Sequence, residues 1–92
     1  MTSRTVTVTN QLGMHARAAA RFVHLATGFE SRVRVARGGR IMDGKSIMGI
    51  LLLAAARGSS IIISAEGADE EAAVAALCRL VESGFGEEPC NA

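Results

Sequence analysis

One histidine stands directly ahead of a run of helix-forming residues in this 92-residue chain. Residues 10–21 read NQLGMHARAAAR, so His15 ends a turn-like stretch and Ala16 opens the helical run. A helix N-terminus has backbone N–H groups without helical partners and a partial positive charge, so it attracts anions such as phosphate. A neutral imidazole placed there is a nucleophile beside an anion site. The segment therefore predicts a phosphoryl group carried on His15.

Arg17 follows two residues after His15, and its side chain can bind the same anion. Its guanidinium would add charge-assisted hydrogen bonds of about 1.5–3 kcal/mol each to a phosphoryl group. The position alone also fits an ordinary surface histidine that caps a helix. The residues by themselves therefore leave both interpretations open, with His15 as the candidate acceptor and Arg17 as the candidate stabilising group.

The apolar spacing predicts the element order β-α-β-β-α-β-α. Strands are predicted over 4–9, 32–36, 40–42 and 59–64, and helices over 16–27, 47–53 and 69–83. The inner face of the first helix is predicted to hold Ala19, Ala20, Val23 and Ala26, and that of the last helix Val74, Leu77, Cys78 and Val81. Helices on one face of a mainly antiparallel sheet make an α+β fold of two layers. We expect one domain over residues 1–92, with its core at about 3–84 and a frayed tail at 85–92.

Charge is distributed unevenly along the chain. Residues 1–46 carry eight basic and two acidic side chains, whereas residues 47–92 carry two basic and seven acidic ones. The basic half contains His15 and would attract anions or an acidic partner surface. Four of its arginines, Arg32, Arg34, Arg37 and Arg40, line a predicted hairpin. Because the chain has no Tyr or Trp to stack on bases, we expect no nucleic-acid binding.

Other residue types indicate neither a metal site nor a membrane segment. Cys78 and Cys90 have no second sulfur or histidine at metal-binding spacing, and His24 would lie on the opposite helix face from His15. The N-terminus has no signal-like apolar region, and the apolar run at 50–56 is too short to span a bilayer. We expect a cytoplasmic protein with no metal, no cofactor and no membrane insertion.

Two motifs resemble the HPr family, the histidine-containing phosphocarriers of the bacterial phosphoenolpyruvate-dependent phosphotransferase system. Residues 13–17, GMHAR, resemble its active-site segment, and residues 44–51, GKSIMGIL, resemble its regulatory-serine segment. They lie about thirty residues apart, as in the family, and the resemblance covers residues 3–84. It implies an open-faced sandwich, in which three helices cover one face of a four-stranded antiparallel sheet of order 1-4-2-3.

The resemblance also implies a phosphoryl carrier rather than a stand-alone catalyst. His15 would accept a phosphoryl group from phosphorylated enzyme I, on Nδ1 as in the family, and pass it to an enzyme IIA domain. Arg17 would sense and shield that group. We expect a monomer. The alternative is a mainly regulatory protein of the nitrogen-type branch, which acts through protein contacts rather than sugar uptake; the sequence does not separate the two.

Ser46 is predicted to cap a helix and, by the resemblance, to carry a regulatory phosphate. A capping hydroxyl contributes about 1 kcal/mol, and a helix N-terminus tolerates phosphoserine. The resemblance implies HPr kinase/phosphorylase as the modifying enzyme. The apolar residues beside Ser46 are predicted to form, at least in part, an exposed partner-binding patch, with core packing as the alternative. These residues are Ile47, Met48, Ile50 and Leu51.

Ala18 departs from the family pattern, which has proline directly after the arginine. Proline in the first helical turn costs no hydrogen bond and presets φ. Alanine is the best helix former, so we expect the helix to form and phosphate acceptance to persist. The substitution bears instead on the rigidity of the His15 loop.

Overall fold

The computed structural model describes residues 1–86, which fold into a four-stranded antiparallel sheet with three helices on one face. The elements are β1 (Thr2–Thr7), α1 (Ala16–Thr27), β2 (Arg32–Arg37), β3 (Arg40–Asp43), α2 (Ile47–Leu52), β4 (Ser60–Glu66) and α3 (Glu70–Glu82), followed by a 3₁₀ turn (Gly84–Gly86). The strand order is β1-β4-β2-β3. The predicted fold class, element order and strand order are confirmed.

β4 is a central strand, as its apolar run predicts. It pairs with β1 on one side and β2 on the other, with Val6 opposite Ile61 and Val35 opposite Ile63. Alternate residues face the helices and are buried, while Ile62 between them is exposed on the open face. β1 ends two residues earlier than predicted. Val8 is nevertheless fully buried, and its backbone exchanges hydrogen bonds with Gly58 and Ser59.

The inner face of α1 differs from the predicted one. The buried residues are Ala18, Ala19, Phe22 and Ala26. Ala20 is exposed and Val23 is half-buried, so the prediction was wrong for Ala20 and incomplete without Phe22. The physical reason is size: the helix is rotated so that Phe22, its largest apolar side chain, is fully buried.

α3 packs on β1 and β4 through the predicted stripe, with Ala73 added to it. The core does not end at Gly84 as expected. Phe85 is fully buried, and Arg21 Nη1 donates a hydrogen bond to its carbonyl oxygen, so the prediction of a frayed tail is wrong at this residue. The rest of that predicted tail, with Cys90, lies outside the described residues. No helix within residues 1–86 has the length and apolar character needed to cross a bilayer.

Candidate functional site

His15 is the N-cap residue of α1. Its backbone is extended, with φ −73° and ψ 178°, and its carbonyl oxygen accepts the first helical hydrogen bond from the N–H of Ala19 at 2.8 Å. The ring is half-buried, and Nδ1 accepts a long hydrogen bond of 3.3 Å from the backbone N–H of Arg17. An accepting Nδ1 carries a lone pair, so a neutral ring in this arrangement has its proton on Nε2. The lone pair of Nδ1 therefore points at the helix N-terminus.

A tight loop leads into His15. The side-chain amide of Asn10 donates to the carbonyl oxygen of Gly13 at 2.7 Å, and the N–H of Gly13 donates back to the Asn10 carbonyl at 3.1 Å. The N–H of His15 also donates to the Gly13 carbonyl, at 2.9 Å. These bonds fix the backbone on the N-terminal side of the imidazole.

The same loop is fixed to the segment that follows α2. Met14 is buried, and its N–H donates to the Ala55 carbonyl oxygen at 2.9 Å. Gly13 has φ +63°, and a Cβ placed on it would lie 2.6 Å from that oxygen and 2.9 Å from the Cα of Ala56. Only glycine fits both this conformation and this close backbone approach.

Arg17 and Ala18 occupy the second and third positions of α1. The Arg17 side chain is exposed, and its backbone N–H faces Nδ1 of His15. Ala18 is fully buried, and its N–H is one of the first four of the helix, which have no helical partner. The structure therefore places the backbone N–H of Arg17, a donor that the sequence does not single out, at the imidazole. The guanidinium of the same residue extends from the first turn of the helix.

Ser46 is the N-cap residue of α2, as predicted. Its backbone is extended, and its Oγ accepts a hydrogen bond of 3.1 Å from the N–H of Gly49. Its carbonyl oxygen accepts from the N–H of Ile50 at 3.0 Å, and the residue is half-buried. The capping role is confirmed, because the hydroxyl satisfies one of the N–H groups that the start of the helix leaves without a partner.

The apolar residues of α2 divide between the core and the surface. Ile47 and Met48 are 45% and 66% exposed, whereas Ile50 is fully buried and Leu51 is half-buried against the core. The predicted patch is therefore corrected at Ile50, which no partner can contact directly. Leu52 belongs to the exposed patch instead of Ile50. It is 51% exposed and lies four residues after Met48, on the same face of the helix. We call Ile47, Met48 and Leu52 the α2 patch.

Leu12, in the loop three residues before His15, is 70% exposed, and it is not among the residues that the sequence predicts for partner binding. Its signal in the sequence is an apolar side chain within an otherwise turn-like stretch. Because the N–H of Met14 bonds to the Ala55 carbonyl oxygen, the loop that carries Leu12 is joined to the segment that follows α2. Exposed apolar residues thus occur on both segments that meet at this hydrogen bond.

The remaining candidate residues stand apart from this site. His24 is exposed near the C-terminal end of α1. Cys78 is buried in α3, and burial raises the pKa of its thiol. Within residues 1–86, no three His, Cys, Asp or Glu side chains cluster in a way that could hold a metal.

Known proteins of similar sequence and fold show which family the chain resembles. Residues 2–83 match the family model described as the PTS HPr component phosphorylation site. A phosphocarrier protein HPr from Cupriavidus necator is 46% identical over 87 residues, which cover 95% of this chain and 98% of that protein. The crystal structure of HPr-C-His from Thermoanaerobacter tengcongensis superposes with a TM-score of 0.92 at 45% identity and covers 97% of this chain and 100% of that one. A crystal structure of an HPr dimer from the same organism gives a TM-score of 0.76 at 45% identity and covers 95% and 100%.

Proposed function

This chain belongs to the HPr family of phosphocarriers of the phosphotransferase system, and on that premise we propose that it carries a phosphoryl group on Nδ1 of His15. The observation that supports the proposal most directly is the hydrogen bond from the Arg17 N–H to Nδ1. It places the lone pair of that nitrogen at a helix N-terminus, where an attached phosphoryl group meets N–H donors and the positive end of the helix.

The chemical step is a transfer between two proteins. The Nδ1 lone pair attacks phosphorus, a nitrogen–phosphorus bond forms, and the bond from phosphorus to the donor group of phosphorylated enzyme I breaks. The Arg17 guanidinium and the N–H groups of the first turn of α1 stabilise the charge on the phosphoryl oxygens. Onward transfer to an enzyme IIA domain is the same step with His15 as the leaving group.

The α2 patch serves as the docking surface for both partners in this proposal. Its exposed side chains lie on a helix that packs against α1. Apolar contact there would bring the partner's reacting group to His15. Methionine suits a surface that binds more than one partner, since its side chain is long and flexible.

Phosphorylation of Ser46 would regulate that docking. Its Oγ lies at the start of α2, beside Ile47 and Met48. A phosphate would add a charge of about −1.5 to −2 there, which the helix terminus tolerates but an acidic partner surface repels. We expect Ser46→Asp, which keeps a capping side chain but adds a negative charge, to accept phosphate from enzyme I more slowly. Ser46→Asn, which keeps a capping side chain and adds no charge, should keep the unmodified rate. Equal rates for both variants would remove the switch. HPr kinase/phosphorylase is the proposed modifying enzyme.

We expect a cytoplasmic monomer that takes part in sugar uptake, and no observation favours the nitrogen-type alternative. A solved relative is an HPr dimer, so sedimentation at micromolar concentration is the direct check of the monomer.

The test is a two-step transfer assay. The purified chain is incubated with phosphoenolpyruvate and a catalytic amount of enzyme I, and an enzyme IIA domain is then added. We expect the chain to gain one acid-labile phosphoryl group and then lose it as the enzyme IIA domain gains one. A phosphoryl group that is gained but never passed on would contradict the carrier role.

A further inference from the structure

Two arginines of the β2–β3 hairpin bond to the C-terminal end of α2. Arg37 and Arg40 lie opposite each other at the end of the hairpin. Arg40 Nη1 donates to the Leu52 carbonyl oxygen at 2.9 Å, and Arg37 Nη1 donates to the Leu53 carbonyl oxygen at 3.1 Å. The sequence presents these residues only as part of a basic run. The structure separates them from Arg32 and Arg34, which lie on the open face of the sheet.

These bonds matter because α2 has only six residues. A helix this short is unstable alone and depends on tertiary contacts. Its last carbonyl groups have no helical partners and carry a partial negative charge. At this end the N–H groups of Leu53 and Ala54 bond back to the carbonyls of Ile50 and Leu51, at 3.2 and 3.0 Å. The carbonyls of Leu52 and Leu53 are left for the two guanidinium groups.

We infer that Arg37 and Arg40 are positioning residues for partner docking. They fix the C-terminal end of α2, and so hold Met48 and Leu52 in the orientation in which the α2 patch meets a partner. The inference rests on the proposed function, because docking is its readout. The fitting partner is a protein with an apolar depression flanked by carboxylates, since both of these exposed arginines lie beside the apolar surface.

Hydrogen bonds other than those of the hairpin arginines hold His15 in place. We therefore expect the hairpin arginines to affect partner binding but not the phosphoryl-transfer step. The bonds from Asn10 to Gly13 and from Arg17 to Nδ1 involve neither hairpin arginine. Loss of the hairpin bonds should therefore weaken docking while the reactivity of the bound imidazole is kept. In steady-state transfer from enzyme I, this appears as a higher KM for the carrier at an unchanged kcat.

The experiment compares two double variants of the hairpin that remove the same charge. R37Q/R40Q removes the bonds to α2, and R32Q/R34Q removes two arginines from the open face of β2. We expect the first variant to raise KM by about three- to tenfold with kcat within about twofold, and the second to leave both within about twofold. Amide hydrogen exchange should quicken at residues 50–54 only in the first variant. Arg40→Lys in an otherwise unchanged chain, which keeps a donor and the charge, should lie close to wild type.

Each other outcome overturns the inference. An equal rise of KM in both double variants would mean that overall charge sets docking. An unchanged KM in R37Q/R40Q, or a fall in kcat alone, would remove the positioning role. If R37Q/R40Q does not fold, the single variant Arg40→Gln makes the same comparison with Arg34→Gln. Failure of the wild-type chain to accept phosphate overturns the proposed function itself and is seen before any variant is measured.

Discussion

The backbone N–H of Met14 donates a 2.9 Å hydrogen bond to the carbonyl oxygen of Ala55, and so joins the loop before His15 to the segment after α2. The residues next to this bond are unusual in conformation. Gly13 has φ +63°, and Ala54 has φ +51° although it is not glycine. The candidate acceptor and the α2 patch are therefore parts of one connected backbone structure, and substitutions at this junction should affect both.

Gly13→Ala should destabilise the protein and slow phosphate acceptance. The new Cβ would meet the Ala55 oxygen at 2.6 Å, and alanine at positive φ is strained. Together these costs amount to about 2–4 kcal/mol in the free energy of unfolding. Gly38→Ala is the matched control: its φ is +60° but nothing lies within 4 Å, so it should lose only about 1 kcal/mol. Urea unfolding measures both, and similar losses would disprove the close-approach argument.

Ala54→Gly should stabilise the protein. Alanine at φ +51° costs about 1–2 kcal/mol, and glycine removes that strain while it adds flexibility to the unfolded chain. The expected net gain is about 0.5–1 kcal/mol in the free energy of unfolding. Ala56→Gly, at a neighbouring residue without positive φ, should lose stability. A loss at both positions in urea unfolding would contradict the prediction.

Glu70 should make stability depend on acid pH. Its carboxylate accepts a hydrogen bond from the Thr2 hydroxyl at 2.6 Å and from the Gly67 N–H at 3.2 Å, and it lies 3.1 Å from the amino group of Met1. These contacts, the Thr2 bond foremost, lower the pKa of Glu70 from 4.5 to about 2. Because the folded-state pKa is the lower one, the contribution is complete above about pH 4.5 and is lost as pH falls toward 2.

The check is the free energy of unfolding measured across that pH range. Glu70→Gln should flatten the decline below pH 4.5, because the residue no longer titrates. Glu71→Gln, at an exposed neighbour in the same helical turn, controls for the change in charge. If the free energy of unfolding of Glu70→Gln falls with pH as steeply as that of the wild type, other carboxylates cause the pH dependence.

Ala18→Pro should leave phosphate acceptance intact. Ala18 is the third residue of α1, where the N–H makes no helical bond, so proline removes none. The proline ring would fix φ of this residue at a value that the first helical turn accepts. The measurement is the amount of phosphoryl group gained from enzyme I, and loss of acceptance by a folded variant would mean that the helix start has been misassigned.

Periodicity and turn chemistry predict most of the fold. Strict alternation marks the strands, and glycine or polar caps mark the helix ends, so α1 begins and ends at its predicted residues. The rotation of α1 is not predictable in the same way, because alanine occupies both of its candidate faces and the burial of Phe22 decides between them. The burial of Phe85 depends on contacts with distant elements, among them the bond from Arg21.

In the candidate site, too, local sequence patterns reveal some features, whereas others depend on contacts between distant residues. The sequence marks His15, Arg17 and Ser46, because each stands at a helix start that local patterns reveal. It does not show which ring nitrogen of His15 faces the helix N-terminus, since that depends on the direction of the Arg17 N–H. It also assigns Ile50 to the exposed patch and omits Leu52, because a helix of six residues is too short for its buried face to be read from spacing. The hairpin bonds to α2 join residues more than ten positions apart and leave no local signal.

His15, and no other residue, should accept the phosphoryl group that phosphorylated enzyme I donates. Intact mass spectrometry after incubation with phosphoenolpyruvate and enzyme I tests it in wild type, His15→Ala and His24→Ala. We expect one acid-labile phosphoryl group on the wild type and on His24→Ala, and none on His15→Ala. Undiminished phosphorylation of His15→Ala, or none on the wild type, would contradict it.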